Sequence, residues 1–125
     1  MAGPYEPPPF TINSSTCPNG TVRISLEGEL DVATAPELLD ALDELRSKDT
    51  WFVLDLRKLL FMDSTGLRAV IRVSKQVSDQ GRTMRVIRGP DLVHQVFEIT
   101  GADQMVEFVE PEAGADADAD ADAGS

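Results

Sequence analysis

Three side chains that could do chemistry stand together as Asp63-Ser64-Thr65, between an apolar run and an amphipathic stretch. A carboxylate or hydroxyl at a helix start can accept a hydrogen bond from an unpaired first-turn amide, which is worth about 0.5–2 kcal/mol. A serine there can also be phosphorylated, because a charge of about −1.5 to −2 is favoured at the positive end of the helix dipole. The segment therefore predicts either a plain helix cap or a phosphorylation switch, and spacing alone does not separate the two.

A phosphate on Ser64 would change binding without unfolding the domain. A partner that buries Ser64 would have to strip water from a dianion, which is costly. Gly66 keeps the first helical turn slim, so that a partner backbone could approach closely. Arg68, one turn further on, could pair with an acid of the partner or with the phosphate. Thr65 is the competing phosphate acceptor.

Enzyme motifs have little support in this sequence. It contains no Gly-rich phosphate loop, no His-Glu-x-x-His motif and no Gly-x-Ser-x-Gly elbow. Cys17 is the single cysteine, so one chain can form neither an internal disulfide nor a cysteine metal site. A triad of Ser64, His94 and an aspartate needs a spatial coincidence that sequence cannot show. We predict a protein that is not an enzyme, with no catalytic residue, no cofactor and no metal.

The charge of the chain is concentrated near its end. The formal net charge is −11, and residues 106–125 contain acids but no base. The Ala-Asp repeat beyond Pro111 has too little apolar surface and too much like charge to condense, so residues 110–125 are predicted to be a disordered acidic tail. The rest of the chain lacks the broad basic surface that binding to nucleic acid requires, which argues against that partner.

The apolar runs of the sequence are too short to predict a membrane span. No run approaches the roughly 18 uncharged residues that a span needs, and the start of the chain lacks the basic and then apolar profile of a signal peptide. The sequence therefore predicts a cytoplasmic protein that makes no membrane contact.

Two strand patterns position the Asp63 segment. Val22, Ile24 and Leu26 alternate with polar residues, as in a strand with one buried face, and Gly28 is expected to end it. Residues 51–56 are almost continuously apolar, which indicates a central strand covered on both faces, followed by a break at Arg57-Lys58. In open parallel sheets, functional loops lie beyond the carboxyl ends of such strands.

Helical spacing predicts helices over residues 35–47 and 64–80, and a third helix that Asp91 caps and Gly101 ends. Thr34 and Glu37 have the spacing of a capping box for the first. In the second, Arg68, Arg72 and Lys75 form either a solvated face or a stripe that meets an acidic partner. Further strands are expected at 11–13, 83–88 and 104–109. The order β, β, α, β, α, β, α, β predicts an α/β domain with right-handed crossovers.

Four segments together closely resemble the STAS-domain anti-sigma factor antagonists of bacteria. They are residues 28–36, 54–56, 61–67 and 96–101, and the Asp-Ser-Thr-Gly-Leu element within the third is the most specific. The resemblance covers residues 10–109 and implies a STAS fold, a single four- to five-stranded mixed sheet flanked by helices. A flexible N-terminus, 1–9, precedes it. The family often ends with another helix packed on the sheet, whereas here the acidic tail 110–125 follows.

The resemblance also implies a function. Members of the family bind an anti-sigma factor that is also a serine kinase with a GHKL-type ATP site, and this frees a sigma factor. The kinase phosphorylates the serine after the aspartate, here Ser64, which ends binding, and a metal-dependent serine phosphatase reverses the modification. The partner-binding residues expected here are Asp31, Asp63, Ser64, Thr65, Gly66 and Arg68. Asp31 lies in a loop similar to the family's partner-contacting loop.

A second hypothesis stays open on the same fold. STAS domains also serve as non-catalytic subunits of membrane transport or sensory complexes, where the serine can be silent. The sequence identifies neither the sigma factor nor the triggering signal, and it leaves open a weak homodimer.

Overall fold

The computed structural model describes residues 8–48 and 50–110. Its elements are β1 (Thr11–Thr16), β2 (Val22–Leu30), α1 (Ala35–Ser47), β3 (Phe52–Met62), α2 (Ser64–Asp79), β4 (Arg85–Ile87), α3 (Asp91–Thr100), a 3₁₀ helix (Ala102–Gln104) and β5 (Glu107–Val109). The predicted order of strands and helices is confirmed. The predicted flexible N-terminus and disordered tail lie, apart from residues 8, 9 and 110, outside the described residues, so those two predictions stay predictions.

The five strands form one mixed sheet in the order β1-β2-β3-β4-β5. The first pair is antiparallel and the other three pairs are parallel. Each parallel connection passes through one helix. Since successive parallel strands are neighbours and crossovers share one hand, the three helices are expected on the same face.

The distribution of buried residues agrees with this one-sided arrangement. The main hydrophobic cluster joins all three helices to one face of the strands, and includes Leu38, Leu54, Val70, Val86 and Phe97. A second, small cluster contains Val53 and Ile87 with Val109 packed against it, and no helix residue of the described part. Successive residues of β3 from Val53 to Leu56 are nearly fully buried, which confirms that both faces of this central strand are covered.

Two predicted strand ends are wrong. Gly28 lies inside β2, with φ of +103°, next to a register shift between Gly28 and Glu29. A bulge of this kind uses the backbone freedom of glycine without ending the strand. The expected break at Arg57-Lys58 is also absent, because Lys58 stays paired with Glu27 and β3 continues to Met62. Pairing with a neighbouring strand outweighs these local signals.

The third helix begins differently from the prediction. Asp91 is its first residue rather than its cap, Pro90 holds the cap position without a side-chain hydrogen bond, and Asp91 instead accepts from Arg88 at 3.2 Å. Gly101 ends the helix as predicted, with φ of +80°.

Candidate functional site

The loops that follow β2 and β3 lie side by side. Leu30 and Met62, the last residues of these parallel strands, are paired in register. The amide of Asp63 donates to the carbonyl oxygen of Leu30 at 3.2 Å. The structure therefore brings together the two predicted segments, the one that begins at Asp31 and the one that begins at Asp63.

Asp63 is the cap of α2. Its backbone is extended, with φ of −98° and ψ of −175°, and its Oδ1 accepts a hydrogen bond from the amide of Gly66 at 2.9 Å. Its carbonyl oxygen accepts from the amide of Leu67 at 3.0 Å. Asp63 therefore performs the capping for which the sequence offered Asp63 or Ser64.

Because Asp63 is the cap, the Ser64 hydroxyl is not needed for capping. Ser64 is the first residue of α2 and is exposed, whereas Thr65 is half-buried. Within the described part of the chain, the Ser64 hydroxyl takes part in no hydrogen bond. The helix start does not use this hydroxyl, so a modification there would break no hydrogen bond of the described residues.

Gly66 has a different task from the predicted one. It is buried, and a Cβ on it would lie 2.6 Å from the carbonyl oxygen of Leu30. The missing side chain therefore lets α2 approach β2 and does not make room for a partner, which corrects the expectation that Gly66 presents a slim surface. Arg68, by contrast, is exposed as predicted, and so are Arg72 and Lys75 further along α2.

Asp31 organises the loop before α1. Its Oδ1 accepts from the amides of Ala33 at 3.0 Å and Thr34 at 3.2 Å. The Thr34 hydroxyl donates to the carbonyl oxygen of Glu29 at 2.9 Å and makes no capping bond to the helix. The predicted capping box of Thr34 and Glu37 is therefore wrong, because the Thr34 hydroxyl serves the loop. The half-buried Asp31 carboxylate is already engaged, which makes it a residue that shapes the loop.

Sequence reasoning missed an apolar groove beside Ser64. A cavity of about 360 Å³ lies between α1 and α2, lined by Val32, Ala35, Pro36, Leu39, Thr65, Arg68, Ala69 and Arg72. Val32 is 70% exposed at its mouth, and Phe61, just before the Asp63 segment, is 47% exposed. An apolar side chain within the polar loop after β2 was the available signal. Exposed apolar residues beside a charged rim are typical of protein-binding surfaces.

His94 does not form the triad that sequence left open. It is buried on α3, with its ring against Phe97 and Phe108 at centroid distances of 6.4 and 4.9 Å. Its Nε2 lies 3.8 Å from a carboxylate oxygen of Glu98, and among the described residues its Nδ1 has no hydrogen-bond partner. A triad would need an aspartate on Nδ1, so this histidine has the surroundings of a core residue.

Asp55 and Asp63 are not a carboxylate pair. Asp55 lies on the sheet face opposite the helices, and its Oδ2 accepts from Nη2 of Arg57 at 2.7 Å. Burial pushes the pKa of Asp55 up, but hydrogen bonds from Arg57 and the charges of Arg57 and Arg23 outweigh it, so the pKa lies below its usual value. The carboxylate is an ionised structural group.

Residues 8–48 and 50–110 contain no group of three or more His, Cys, Asp or Glu residues placed to hold a metal ion. None of the helices in them has the length and apolar character needed to cross a membrane.

The chain is similar in sequence to a known protein family and to proteins that have a name. The family model described as "Mlab, STAS domain" matches residues 16–107. The Anti-sigma-B factor antagonist of Staphylococcus aureus (strain NCTC 8325 / PS 47) is 31% identical over 89 residues, which cover 70% of this chain and 82% of that protein.

Solved structures share the fold at low sequence identity. An anti-sigma factor antagonist from Mycobacterium paratuberculosis superposes with a TM-score of 0.72 at 22% identity, covering 80% of this chain and 85% of the other. The Bacillus protein SpoIIAA superposes in its unphosphorylated form with a TM-score of 0.70 at 19% identity, covering 82% and 91%. Its phosphorylated form gives 0.67 at 18% identity, covering 86% and 98%.

Proposed function

This chain belongs to the family of STAS-domain anti-sigma factor antagonists, and on that premise we propose that it binds an anti-sigma factor in a switchable way. In the unphosphorylated state the surface around Ser64 binds the anti-sigma factor, which then releases its sigma factor. The partner is a serine kinase with a GHKL-type ATP site that phosphorylates Ser64 and so ends the binding. A metal-dependent serine phosphatase restores the binding state. Sigma factors act on transcription, so the proposed compartment is the cytoplasm.

The observation that carries this proposal is the division of roles between Asp63 and Ser64. Asp63 caps α2 through the 2.9 Å bond to Gly66, while the adjacent Ser64 is exposed and contributes no hydrogen bond within the described residues. A phosphate on Ser64 would sit at the positive end of the 16-residue helix α2. It would therefore be tolerated by the domain and act on the interface. SpoIIAA, which shares the fold, has solved structures in an unphosphorylated and a phosphorylated form, and this supports such a cycle for that protein.

The proposed interface combines an apolar anchor site with a cationic edge. The groove beside Thr65 offers Val32 and Leu39 to an apolar side chain of the partner, and Arg68 and Arg72 line the same cavity. Because both arginines are exposed, acids of the partner could reach them. In this proposal Asp31 and Asp63 hold the two loops and Gly66 seats the helix, so their effect on binding is indirect.

The phosphate position is tested first on protein isolated from its native cell. We expect intact-mass spectrometry to show a phosphatase-sensitive gain of one phosphate, and peptide mapping to place it on Ser64. A phosphate on Thr65 would contradict the assignment to Ser64. No phosphate under several growth and stress conditions would favour the transport or sensory subunit.

Binding is tested with the protein that this chain captures from lysate. Ser64→Ala should bind it constitutively. Ser64→Glu should bind at least 10-fold more weakly, because burying the added charge at the interface is expected to cost about 1.4 kcal/mol or more. Ser78→Glu is the matched control, because it adds the same charge at an exposed position near the other end of α2. Equal affinity of all variants would contradict the switch. A captured membrane ATPase or permease would contradict the anti-sigma partner.

A further inference from the structure

The groove beside Ser64 continues along α1 and α2 beyond the part that the proposed interface uses. A second cavity, of about 210 Å³, lies between the same two helices and shares three lining residues with the groove at Thr65. The shared residues are Pro36, Leu39 and Arg72, and the second cavity adds Asp40, Asp43 and Gln76. We call the two cavities together the interhelical groove. From Thr65 to Gln76 it follows α2 for about 16 Å, or roughly three helical turns.

The shape of the interhelical groove favours a helix as its occupant. Its floor is apolar, since Leu39 of α1 and Ala69 of α2 both lie along it. Its walls are the sides of two helices, whose main-chain groups beyond the first and last turns are paired within each helix. An extended peptide would therefore find few main-chain partners there. A helix satisfies its own main chain and needs only side-chain contacts, as in other grooves that bind amphipathic helices.

The charges along the interhelical groove are unevenly distributed. Arg68 lies at the end near Ser64 and Arg72 at the middle, whereas Asp40 and Asp43 line only the far half. Arg68, Arg72 and Asp40 are exposed, and within the described part of the chain their side chains have neither an ion pair nor a hydrogen bond. Asp43 is held in an ion pair on α1. A segment in the groove therefore meets unpaired positive charge near Ser64 and unpaired negative charge further along.

We propose, on the premise of the proposed function, that an amphipathic helix of the anti-sigma factor lies in the interhelical groove with its C-terminal end beside Ser64. Its apolar side chains at i, i+4 and i+7 contact the floor at Leu39. Acids near its C-terminal end contact Arg68 and Arg72, and a base near its N-terminal end contacts Asp40. The starts of α1 and α2 both lie at the Ser64 end, so the docked helix is antiparallel to them and the helix dipoles attract.

This orientation gives the switch a direct electrostatic cause. A phosphate on Ser64 would stand beside the acids at the C-terminal end of the docked helix, and like charges repel. It would also offer Arg68, one turn along α2, an anion of the same chain in place of the partner's acid. Both effects weaken docking. A helix in the opposite direction would place its base and its positive end beside Ser64, and phosphorylation would then strengthen binding.

Photo-cross-linking to the captured anti-sigma factor tests the docked helix. The full chain, in a Cys17→Ser background, carries a short photoreactive label on Val32→Cys at the Ser64 end or on Gln76→Cys at the far end. We expect both labels to attach to one partner segment, about 11 residues apart, with the Gln76 adduct nearer the N-terminus of the partner. A spacing of about 5 residues, as in an extended segment, the reverse order, or adducts on unrelated segments would overturn the proposal. A label on Ser78→Cys, exposed outside the groove, is the control and should not attach to that segment.

Charge reversal in the far half of the groove separates this inference from the proposed function. Asp40→Lys should weaken binding about 10-fold, because it sets a base against the base of the docked helix. Glu37→Lys makes the same change at an exposed position of α1 outside the groove, and should alter binding by no more than about 2-fold. If Ser64→Glu weakens binding and Asp40→Lys does not, the inference fails while the switch stands. If neither weakens binding, or no anti-sigma factor is captured, the proposed function fails as well.

Discussion

Asp63 and Ser64 are neighbours with separate tasks. The Asp63 carboxylate is fixed by the amide of Gly66, and the Ser64 hydroxyl is exposed and has no bonding partner within the described residues. A residue that stabilises a helix start and a residue that is open to modification can therefore change independently. This separation makes the stability and the binding of single variants informative about each role.

Substitution of Asp63 should affect stability, whereas substitution of Ser64 should not. Asp63→Ala removes the cap of α2 and is expected to lower the free energy of unfolding by about 0.5–2 kcal/mol. Asp63→Asn should keep most of it, since asparagine caps comparably. Ser64→Ala should change stability by no more than about 0.5 kcal/mol. Urea denaturation measures all three, and equal losses for Asp63→Ala and Ser64→Ala would contradict the separate roles.

Helix α2 approaches strand β2 closely at Gly66. Gly66 lies against the carbonyl oxygen of Leu30. The same oxygen accepts the hydrogen bond from the amide of Asp63. The same strand end therefore sets the position of both the helix start and the Asp63 loop. A change in this contact would move Ser64 relative to the Asp31 loop.

Adding one methyl group at Gly66 tests this seating. Glycine to alanine inside a helix usually stabilises by up to about 1 kcal/mol, but here the Cβ would lie 2.6 Å from a backbone oxygen. We expect Gly66→Ala to destabilise by about 1–3 kcal/mol, the usual cost of overpacking. Ser78→Ala, at an exposed position of the same helix, is the control and should be neutral or stabilising. Thermal unfolding that finds Gly66→Ala more stable than the parent chain would refute the contact.

The folded molecule has two unlike faces. One is covered by three helices around a large apolar core, and the other is built from arginines, a buried carboxylate and a small apolar centre. Ser64, with the groove at Val32 and Thr65, belongs to the loops and helices of the first. The sheet face that carries Asp55 and Arg57 lies on the other side of the strands.

The stability of the molecule should depend on pH through Asp55, which lies on the sheet face opposite the helices. Its pKa is lowered in the fold, so its stabilising contribution is present above the unfolded value of 3.8 and is lost as pH falls through the folded pKa. Arg57→Gln should cost about 1–2 kcal/mol near neutral pH, since the Arg57 side chain is 42% exposed and solvent weakens the pair.

Comparison across pH gives the discriminating result. The difference in unfolding free energy between the parent chain and Arg57→Gln should shrink as the pH falls and Asp55 becomes protonated. Lys48→Gln, which removes an exposed pair with Glu44 on α1, is the control and should cost less. A difference that stays constant from neutral to acid pH would mean that Arg57 acts through packing and not through its charge.

Patterns among residues that are close in sequence predicted much of the fold. The 3.6-residue periodicity predicted α1 with the same bounds, 35–47, that the structure has, and Gly101 ended α3 as expected. Helices are closed by contacts between residues three and four apart, so their signals are local. The Asp-Ser-Thr-Gly-Leu element likewise pointed to Ser64, whose role stays a prediction.

Other features depended on residues that are distant in sequence. Strands β2 and β3 continue through Gly28 and Arg57-Lys58 because they pair with each other. Glycine is required at position 66 of α2 by the carbonyl of Leu30, which lies in β2. The groove beside Thr65 arises from packing between α1 and α2, and the neighbours of Val53 and Asp55 across the sheet arise from strand register. A one-dimensional pattern shows which residue types can face a core. Only the assembled sheet determines which neighbours they meet there, because register joins segments that no local periodicity connects.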